Sequence, residues 1–358
     1  MKIAHVVDSM EVGGVETLVA QMCVAQRELG HDPFVIVVGS MGPLGKRMLS
    51  DGFDVIVPGA CRLPGAIWKF YRLLKRLGPD VVHLHNPTPT CFAALAAKVA
   101  KVPCVVSTRH SLVGKPRRRL TELKYSCATP FCDWIVGICD ATVENLKEAH
   151  PRQAEKMVRV YNGILPIVRA PNGKWPAKSG FTFVFVGRLA PVKNLGLLLD
   201  AFSAALEEEP NLRLWLVGDG SERRVLEESA RRGGIDSKIR FWGEQLDPGR
   251  FFSAADVFVM SSASEGLPIS LLQAFSIGLP AIVTDAGGMS EAVHLAKAGL
   301  IVSKTDPSGM AEAMLGLARD ERQRLLFGEN ALAAFTTNFT LRSAVSGYEE
   351  LYRASRRR

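Results

Sequence analysis

Short apolar runs alternate with longer segments of helical periodicity along the first half of the chain. The segments of helical spacing include residues 15–29 and 91–100. The strand-length runs, rich in β-branched residues, cover residues 3–7, 34–38, 55–57, 81–85, 104–107 and 134–137. Because strand and helix alternate, the pattern predicts a parallel sheet covered by helices on both faces.

The same alternation restarts after a segment rich in proline and glycine at residues 166–180. Its strand-length runs cover residues 181–186, 212–217, 239–241, 257–260, 281–284 and 299–302. We therefore expect an α/β chain of two Rossmann-like domains, each a doubly wound parallel sheet, that face each other across a cleft. The predicted divisions are residues 1–168, residues 169–340 and a C-terminal helix over 341–358 that packs back towards the N-terminal domain. Ligands of such sheets bind beyond the carboxyl ends of the strands.

The composition is that of an ordinary globular chain: 358 residues, 47% hydrophobic and 22% charged, accommodate two cores. The apolar runs are far shorter than the about 20 residues that a membrane-spanning helix needs. Asp8 interrupts the first apolar run where a signal peptide would continue, so we interpret this run as a strand and expect a cytoplasmic protein. The seven cysteines form no Cys-x-x-Cys pair and are expected to be reduced packing residues that hold no metal.

The net charge of +8 arises in the N-terminal half, where 22 lysines and arginines stand against 14 acidic residues, compared with 22 against 22 after residue 170. The densest basic cluster is Lys115, Arg117, Arg118 and Arg119, and a second basic amphipathic helix is expected at 67–77. Such surfaces suit anionic lipid headgroups, although solvated helix faces explain them equally well. Nucleic acid is not an expected partner because no base-stacking aromatic platform accompanies the charge.

A glycine-containing turn follows the first strand of each predicted domain. Gly13 and Gly14 open the first helix, whose terminal amides suit a phosphate, although a simple turn explains them equally well. In the second domain Gly187 is followed by Arg188 and, five residues later, by Lys193. A planar guanidinium and a compact ammonium at a helix start would hold a diphosphate. A surface loop with incidental charges is the alternative.

A carboxylate lies between the run at 257–260 and the start of the helix predicted after it. Glu265 is followed by Gly266, Leu267 and Pro268 and then by an apolar helical segment. The carboxylate oxygens can accept hydrogen bonds from sugar hydroxyls while the neighbouring amides donate to phosphate oxygens. The alternative is that Glu265 is only a partner for the helix dipole.

These segments occur in a characteristic order. Val-Gly-Arg-Leu with its following lysine, Gly-Asp-Gly at 218–220, Glu-Gly-Leu-Pro at 265–268 and the segment 278–288 resemble the motifs of retaining family-four glycosyltransferases of the GT-B fold. The resemblance implies that Arg188 and Lys193 neutralise the donor diphosphate and that Glu265 binds hydroxyls of the donor sugar. It also implies donor contacts from a further set of residues: Gly13, Gly14, Gly187, Gly218, Gly266, Leu267 and Pro268.

The resemblance also marks two further positions, one that matches the family's residue and one that departs from it. His110, after the run 104–107, resembles the family's histidine beside the donor sugar. Gln273 stands where the family usually has a second glutamate that binds the ribose. A neutral amide still accepts a hydrogen bond there but lacks charge assistance, which leaves donor affinity and the choice of nucleotide open. His83 and His85 are expected on opposite faces of the preceding strand, as core or loop contacts.

The activity that the resemblance implies is the transfer of a sugar, with retained anomeric configuration, from a UDP- or GDP-sugar to an acceptor hydroxyl. The departing diphosphate gains negative charge, which cations of the protein would stabilise. The sequence contains no Asp-x-Asp, so we expect no metal or other cofactor. The expected partners are a glycan or lipid-linked acceptor and an anionic membrane surface, with the protein peripheral on the cytosolic face. A nucleotide-sugar epimerase and a catalytically silent nucleotide-sugar-binding protein remain as alternatives.

Overall fold

The structure is a computed structural model that describes residues 1–11, 13–59, 65–113, 119–168, 178–245 and 247–356. These residues divide into two compact units: Met1–Leu165 together with Thr340–Arg358 form the N-terminal unit, and Pro166–Phe339 form the C-terminal unit. The chain therefore leaves its N-terminal unit near the predicted linker and returns to it with its last helix.

The N-terminal unit is built on a parallel sheet. Its strands are β1 (Lys2–Val7), β2 (Asp32–Val37), β3 (Val55–Ile56), β4 (Val81–His85), β5 (Cys104–Arg109), β6 (Trp134–Gly137) and β7 (Met157–Arg159). Its helices are α1 (Gly14–Glu28), α2 (Gly42–Ser50), α3 (Gly65–Leu77), α4 (Pro87–Val99), α5 (Arg119–Ala128), α6 (Asp140–Ala149) and α14 (Leu341–Arg356). The strands pair in the order β3-β2-β1-β4-β5-β6-β7.

Helices cover both faces of this sheet because alternate strand residues enter different cores. Ala4 and Val6 of β1 lie in a core that includes residues of α3, α4 and α5. Ile3 lies in another core, with residues of α1 and with Tyr348 and Tyr352 of α14. The C-terminal helix is thus part of the core of the N-terminal unit.

The C-terminal unit repeats this architecture. Its strands are β8 (Phe181–Val186), β9 (Leu212–Val217), β10 (Ile239–Gly243), β11 (Val257–Met260), β12 (Ala281–Thr284) and β13 (Gly299–Val302). Its helices are α7 (Leu195–Glu208), α8 (Arg223–Arg232), α9 (Gly249–Ala254), α10 (Ile269–Ser276), α11 (Gly288–Ala296), α12 (Pro307–Arg319) and α13 (Glu321–Asn338). The strands pair, again in parallel, in the order β10-β9-β8-β11-β12-β13.

The predicted α/β class with two doubly wound parallel sheets is confirmed, with shifts at the ends of elements. Strand β5 extends beyond the predicted 104–107 to Arg109, so His110 follows the strand directly. Helix α4 begins at Pro87 rather than at residue 91, because the first helical turn accepts proline. The three residues of β7 are too few to show a periodicity, and this strand is not predicted. Within the described ranges, no helix is both long and apolar enough to span a bilayer.

Candidate active site

The candidate residues of the C-terminal unit lie where the strand order of its sheet reverses. Strand β8 pairs with β9 on one side and with β11 on the other, so the chain winds away from β8 in both directions. Doubly wound sheets bind ligands outside the carboxyl ends of the strands at this switch point. Gly187 and Arg188 follow β8 directly, and Glu265 lies on the loop that follows β11. The sequence motifs of this unit therefore occupy its expected ligand-binding edge.

Lys193 and Glu265 form an ion pair at this edge. The Nζ atom of Lys193 lies 2.5 Å from Oε1 of Glu265, and each side chain is 16% exposed. Lys193 ends the 3₁₀ turn Pro191–Lys193, and the left-handed residue Asn194, with φ of +49°, then leads into α7. The turn carries the ammonium group away from the strand and towards the loop after β11. The two predicted charged side chains thus meet, and a phosphate oxygen could replace the carboxylate as the partner of Lys193.

Hydrogen bonds fasten the loop after β8 to the loop after β11. The hydroxyl of Ser261 donates to the carbonyl oxygen of Lys193 at 2.9 Å. The backbone N–H of Ala263 donates to the carbonyl oxygen of Val192 at 2.9 Å. Thr284, at the end of β12, donates from Oγ1 to the carbonyl oxygen of Ser262 at 2.6 Å. Sequence reasoning missed Ser261, whose only signal is a hydroxyl directly after an apolar strand.

The backbones of the loops after β8 and β9 lie so close together that no side chain fits between them. Gly218 has a φ of +134°, and a Cβ atom placed there would lie 2.0 Å from the carbonyl oxygen of Gly187. Gly218 must therefore lack a side chain. A Cβ at Gly187 would lie 3.9 Å from Cε of Lys193, which puts the lysine stem beside the residue that precedes Arg188. Arg188 itself is exposed.

The segment Glu265 to Pro268 leads into α10. Gly266 and Leu267 are buried, and Pro268 has extended backbone angles before the helix begins at Ile269. The helix begins after these three residues, so their contacts with a donor stay a prediction. Gln273 lies on α10 and is half-buried. Its contact with a ribose stays a prediction.

In the N-terminal unit, the predicted residues follow strands β1 and β5. Gly13 has extended backbone angles and caps α1, and Gly14 is exposed at the start of that helix. The backbone N–H of His110 donates to Oδ1 of Asn86 at 3.2 Å. Asn86, which follows β4 with a φ of +72°, was missed. An asparagine before a proline at the end of a strand is the signal that could have found it.

A row of buried side chains connects α1 to His110. Nε2 of His5 lies 2.8 Å from Oε1 of Gln26, and Nδ1 of His5 lies 3.0 Å from Nε2 of His85. Nδ1 of His85 lies 3.1 Å from Nε2 of His110. Burial lowers the pKa of His5 and of His110 from 6.5 to about 4, and it lowers the pKa of His85 well below 6.5. The three rings are therefore neutral at pH 7.

The expectation that His83 and His85 lie on opposite faces of their strand is wrong. Their rings stack with centroids 4.1 Å apart, because residues two apart on a strand share a face. Nδ1 of His83 lies 2.7 Å from the hydroxyl of Tyr352, and Nε2 lies 2.7 Å from Oγ1 of Thr108. His5, His83 and His85 each offer one nitrogen within 4.8 Å of the others, a spacing that a metal ion could use. Each of these ring nitrogens has a hydrogen-bond partner, so a metal would have to replace those bonds.

The basic cluster that was predicted to contact a membrane or acceptor falls largely outside the described residues. Lys115, Arg117 and Arg118 lie in the undescribed range 114–118. Arg119 begins helix α5, and its side chain is likewise not described. Their role stays a prediction.

Family sequence models match both units of the chain. Residues 12–166 match the family described as Glycosyltransferase Family 4, and residues 180–320 match the one described as Glycosyl transferases group 1. The chain is 26% identical to the Escherichia coli UDP-Gal:alpha-D-GlcNAc-diphosphoundecaprenol alpha-1,3-galactosyltransferase over 98% of this chain and 96% of that protein. It is 27% identical to the phosphatidyl-myo-inositol mannosyltransferase of Mycobacterium leprae over 86% of this chain and 84% of that protein.

Solved structures share the fold over nearly the whole chain. A crystal structure of Anabaena HepE in complex with UDP aligns with a TM-score of 0.87 at 18% identity and covers 99% of this chain and all of that chain. A glycosyltransferase from Rickettsia africae aligns with a TM-score of 0.84 at 19% identity over 99% of this chain and 98% of that chain. Membership of one family explains the two doubly wound sheets, the motif residues at their carboxyl edges and these matches. The chain belongs to the family-four glycosyltransferases of the GT-B fold.

Proposed function

We propose that the chain transfers a sugar, with retention of the anomeric configuration, from a UDP- or GDP-sugar to a hydroxyl of a glycan or lipid-linked acceptor. Lys193 and Arg188 bind the diphosphate in this proposal, and Glu265 binds hydroxyls of the donor sugar. His110 is the group of the N-terminal unit that acts on the sugar. The ion pair between Lys193 and Glu265 is the observation that carries the proposal.

The chemistry of that pair fits a substrate with an anionic and a hydroxyl-rich part. A diphosphate takes Lys193 as its counterion, which frees the carboxylate of Glu265 to accept hydrogen bonds from sugar hydroxyls. Negative charge increases on the diphosphate as the glycosidic bond breaks, so Lys193 and Arg188 act most strongly in the transition state. These cations come from the protein itself, so the proposal requires no metal.

Donor identity is tested by thermal shift with a panel of UDP- and GDP-sugars, since a ligand that binds the native state raises the melting temperature. The stabilising donor is then incubated with and without candidate acceptors. The anomeric configuration of the transferred sugar is compared with that of the sugar in the donor. Arg188→Ala is expected to slow transfer at least about tenfold, whereas Arg224→Ala, which changes a 90% exposed arginine on α8, leaves the rate unchanged. Isomerisation of the donor alone, or binding without transfer, would contradict the proposal.

Two observations support the proposed class of acceptor. One is a surface of the N-terminal unit, and the other is the names of the relatives. Trp68 on α3 is 57% exposed, its ring stacks on Tyr71, and the guanidinium of Arg72 lies 5.1 Å from its centroid. Leu120 and Leu123 on α5 are also exposed. An amphipathic aromatic ring beside basic side chains suits the headgroup region of an anionic bilayer. The names of the relatives include diphosphoundecaprenol and phosphatidyl-myo-inositol, both of which are lipids. We therefore propose a lipid-linked acceptor and peripheral membrane binding through α3 and α5.

Vesicle sedimentation tests this membrane surface. The chain is expected to sediment with phosphatidylglycerol vesicles at low salt and to be released as salt screens the charge. Trp68→Ser should weaken the binding, whereas Leu325→Ser, which removes a slightly more exposed apolar residue from α13, should not. Equal vesicle binding by the two variants would reject the proposed membrane surface. Transfer to an acceptor that carries no lipid would reject the proposed class of acceptor.

A further inference from the structure

Asn86 holds a backbone conformation that an asparagine rarely adopts. Its φ of 72° and ψ of 173° fall in a region that is essentially confined to glycine. Asn86 lies directly before helix α4, but its side chain makes no capping hydrogen bond to that helix. A glycine would adopt these angles without strain, so the backbone alone does not require an asparagine here. Strained residues of this kind cluster where proteins bind substrates.

The side-chain amide of Asn86 has a fixed orientation. It meets the backbone N–H of His110 at 3.2 Å, and because that group can only donate, the amide atom that faces it must be Oδ1. The nitrogen Nδ2, with its two N–H donors, therefore points away from this N–H group. No described residue accepts a hydrogen bond from Nδ2, and Nδ2 is not among their enclosed polar atoms. An accessible donor thus lies beside His110.

Asp8 supplies a complementary group at the end of the neighbouring strand. Strands β1 and β4 pair in a register that sets Val6 level with Leu84. Two residues further along, the same register sets Asp8 level with Asn86. The two residues follow the strands at which the order of this sheet reverses, since β1 also pairs with β2. Asp8 is exposed, although the protein around its carboxyl group removes enough water to raise its pKa.

We propose that Asn86 and Asp8 form a subsite for the attacking hydroxyl of the acceptor. A hydroxyl can accept one hydrogen bond while it donates another. Its oxygen accepts from Nδ2 of Asn86, and its O–H donates to the carboxyl group of Asp8. Oδ1 of Asn86 at the same time holds the backbone of His110 in place. The subsite depends on the proposed function, because the hydroxyl is that of the proposed acceptor.

Two substitutions that both remove the side chain of Asn86 test the strain. Asn86→Gly relieves the backbone, whereas Asn86→Ala leaves it strained. The glycine variant should therefore melt a few degrees above the alanine variant, although both should transfer sugar more slowly than the unaltered chain. Equal melting temperatures, or full activity of the glycine variant, would overturn the proposal.

An exchange of the two side chains tests the subsite itself. Asn86→Asp keeps the oxygen that holds His110 but removes both donors, and Asp8→Asn replaces the carboxyl group by an amide. Each is expected to lower kcat/KM for the acceptor about fivefold, the order of one hydrogen bond, with the thermal shift produced by the donor unchanged. The double variant again offers one amide and one carboxyl group, so it should recover part of this loss. Losses that multiply in the double variant would overturn the proposal.

Asn145→Asp is the matched control, because Oδ1 of Asn145 likewise accepts from a backbone N–H, that of Val113, at 2.6 Å. It should leave kcat/KM unchanged. Binding without turnover is measured from the side-chain N–H signals of Asn86 in nitrogen-labelled protein, which the Asn86→Asp sample assigns, as octyl glycosides are added. Signals that no glycoside moves would overturn the subsite, whether or not the chain transfers sugar. Signals that move in a chain that transfers no sugar would instead reject the proposed function alone.

Discussion

The ammonium of Lys193 and the carboxylate of Glu265 lie in contact, at 2.5 Å, although 72 positions separate them in the chain. Both are largely shielded from water, so each residue would be left with an unpaired charge if the other were removed. Binding of an anion therefore requires the lysine to exchange one negative partner for another. In the free protein the charges of these two side chains balance each other.

Substitution of Lys193 by alanine is expected to lower kcat/KM at least about tenfold, because a transition-state contact of about 1.4 kcal/mol is removed. Glu265→Gln should also slow transfer with the fold intact, since the amide cannot accept from sugar hydroxyls with the strength of a carboxylate. Steady-state kinetics with the identified donor measure both effects.

Lys178→Ala is the matched control, because Lys178 forms an ion pair at 2.6 Å with Asp256 in the same unit but before β8 rather than after it. Its loss should leave kcat/KM unchanged. Rates of Lys193→Ala equal to those of this control would remove Lys193 from the proposed diphosphate site.

Gln273→Glu restores the carboxylate that the family usually has at this position. We expect the donor KM to fall roughly two- to tenfold, because a charged acceptor strengthens a hydrogen bond to a ribose hydroxyl. Gln323→Glu adds the same charge to α13 of the same unit and should leave the donor KM unchanged. A donor KM that does not respond to Gln273→Glu would show that this side chain does not contact the ribose.

Acid is expected to destabilise the N-terminal unit through its buried histidines. Burial lowers the pKa of His5 from 6.5 to about 4, so its neutral form contributes stability above pH 6.5. The unfolded chain takes up a proton as the pH falls below 6.5, whereas the folded chain does so only near pH 4. The free energy of unfolding should therefore fall across this interval, by about 3 kcal/mol for His5 alone.

Urea titrations at about pH 7.5, 6 and 5 measure this dependence. His5→Gln should flatten it, whereas His294→Gln, which replaces an exposed histidine of α11, should retain it. Parallel pH profiles for the unaltered chain and His5→Gln would mean that His5 is not held neutral by burial.

Gly218→Ala should destabilise the C-terminal unit and abolish donor binding, since its Cβ would overlap the carbonyl oxygen of Gly187 and its φ of +134° disfavours a side chain. Gly316→Ala is the control, because nothing lies within 4 Å of the added methyl group on helix α12. That control should keep or raise the melting temperature by removing a glycine from a helix. Thermal shift with and without donor separates the loss of stability from the loss of binding.

Local sequence determined the strands, the class of the fold and the positions of most motifs. Apolar runs such as 181–186 and 257–260 match β8 and β11 because a strand buried on both faces must be apolar throughout. Glycine turns and charged residues that follow those runs lie at the carboxyl edge of the sheet, because that is where each parallel strand ends. The three-residue strand β7 was missed because it carries too little pattern.

The tertiary structure decided which side chains meet. The sequence predicted a role for Lys193 and for Glu265, but their ion pair exists because β8 and β11 are neighbours in the sheet although β9 and β10 intervene in the chain. The row from Gln26 to His110 joins side chains of α1, β1 and β4 with the residue after β5. Single histidines in apolar strands carry no local sign of such partners. Hydrogen bonds and ion pairs between distant segments depend on how strands are ordered and registered, and that order is set by packing of the whole unit rather than by any one stretch of chain.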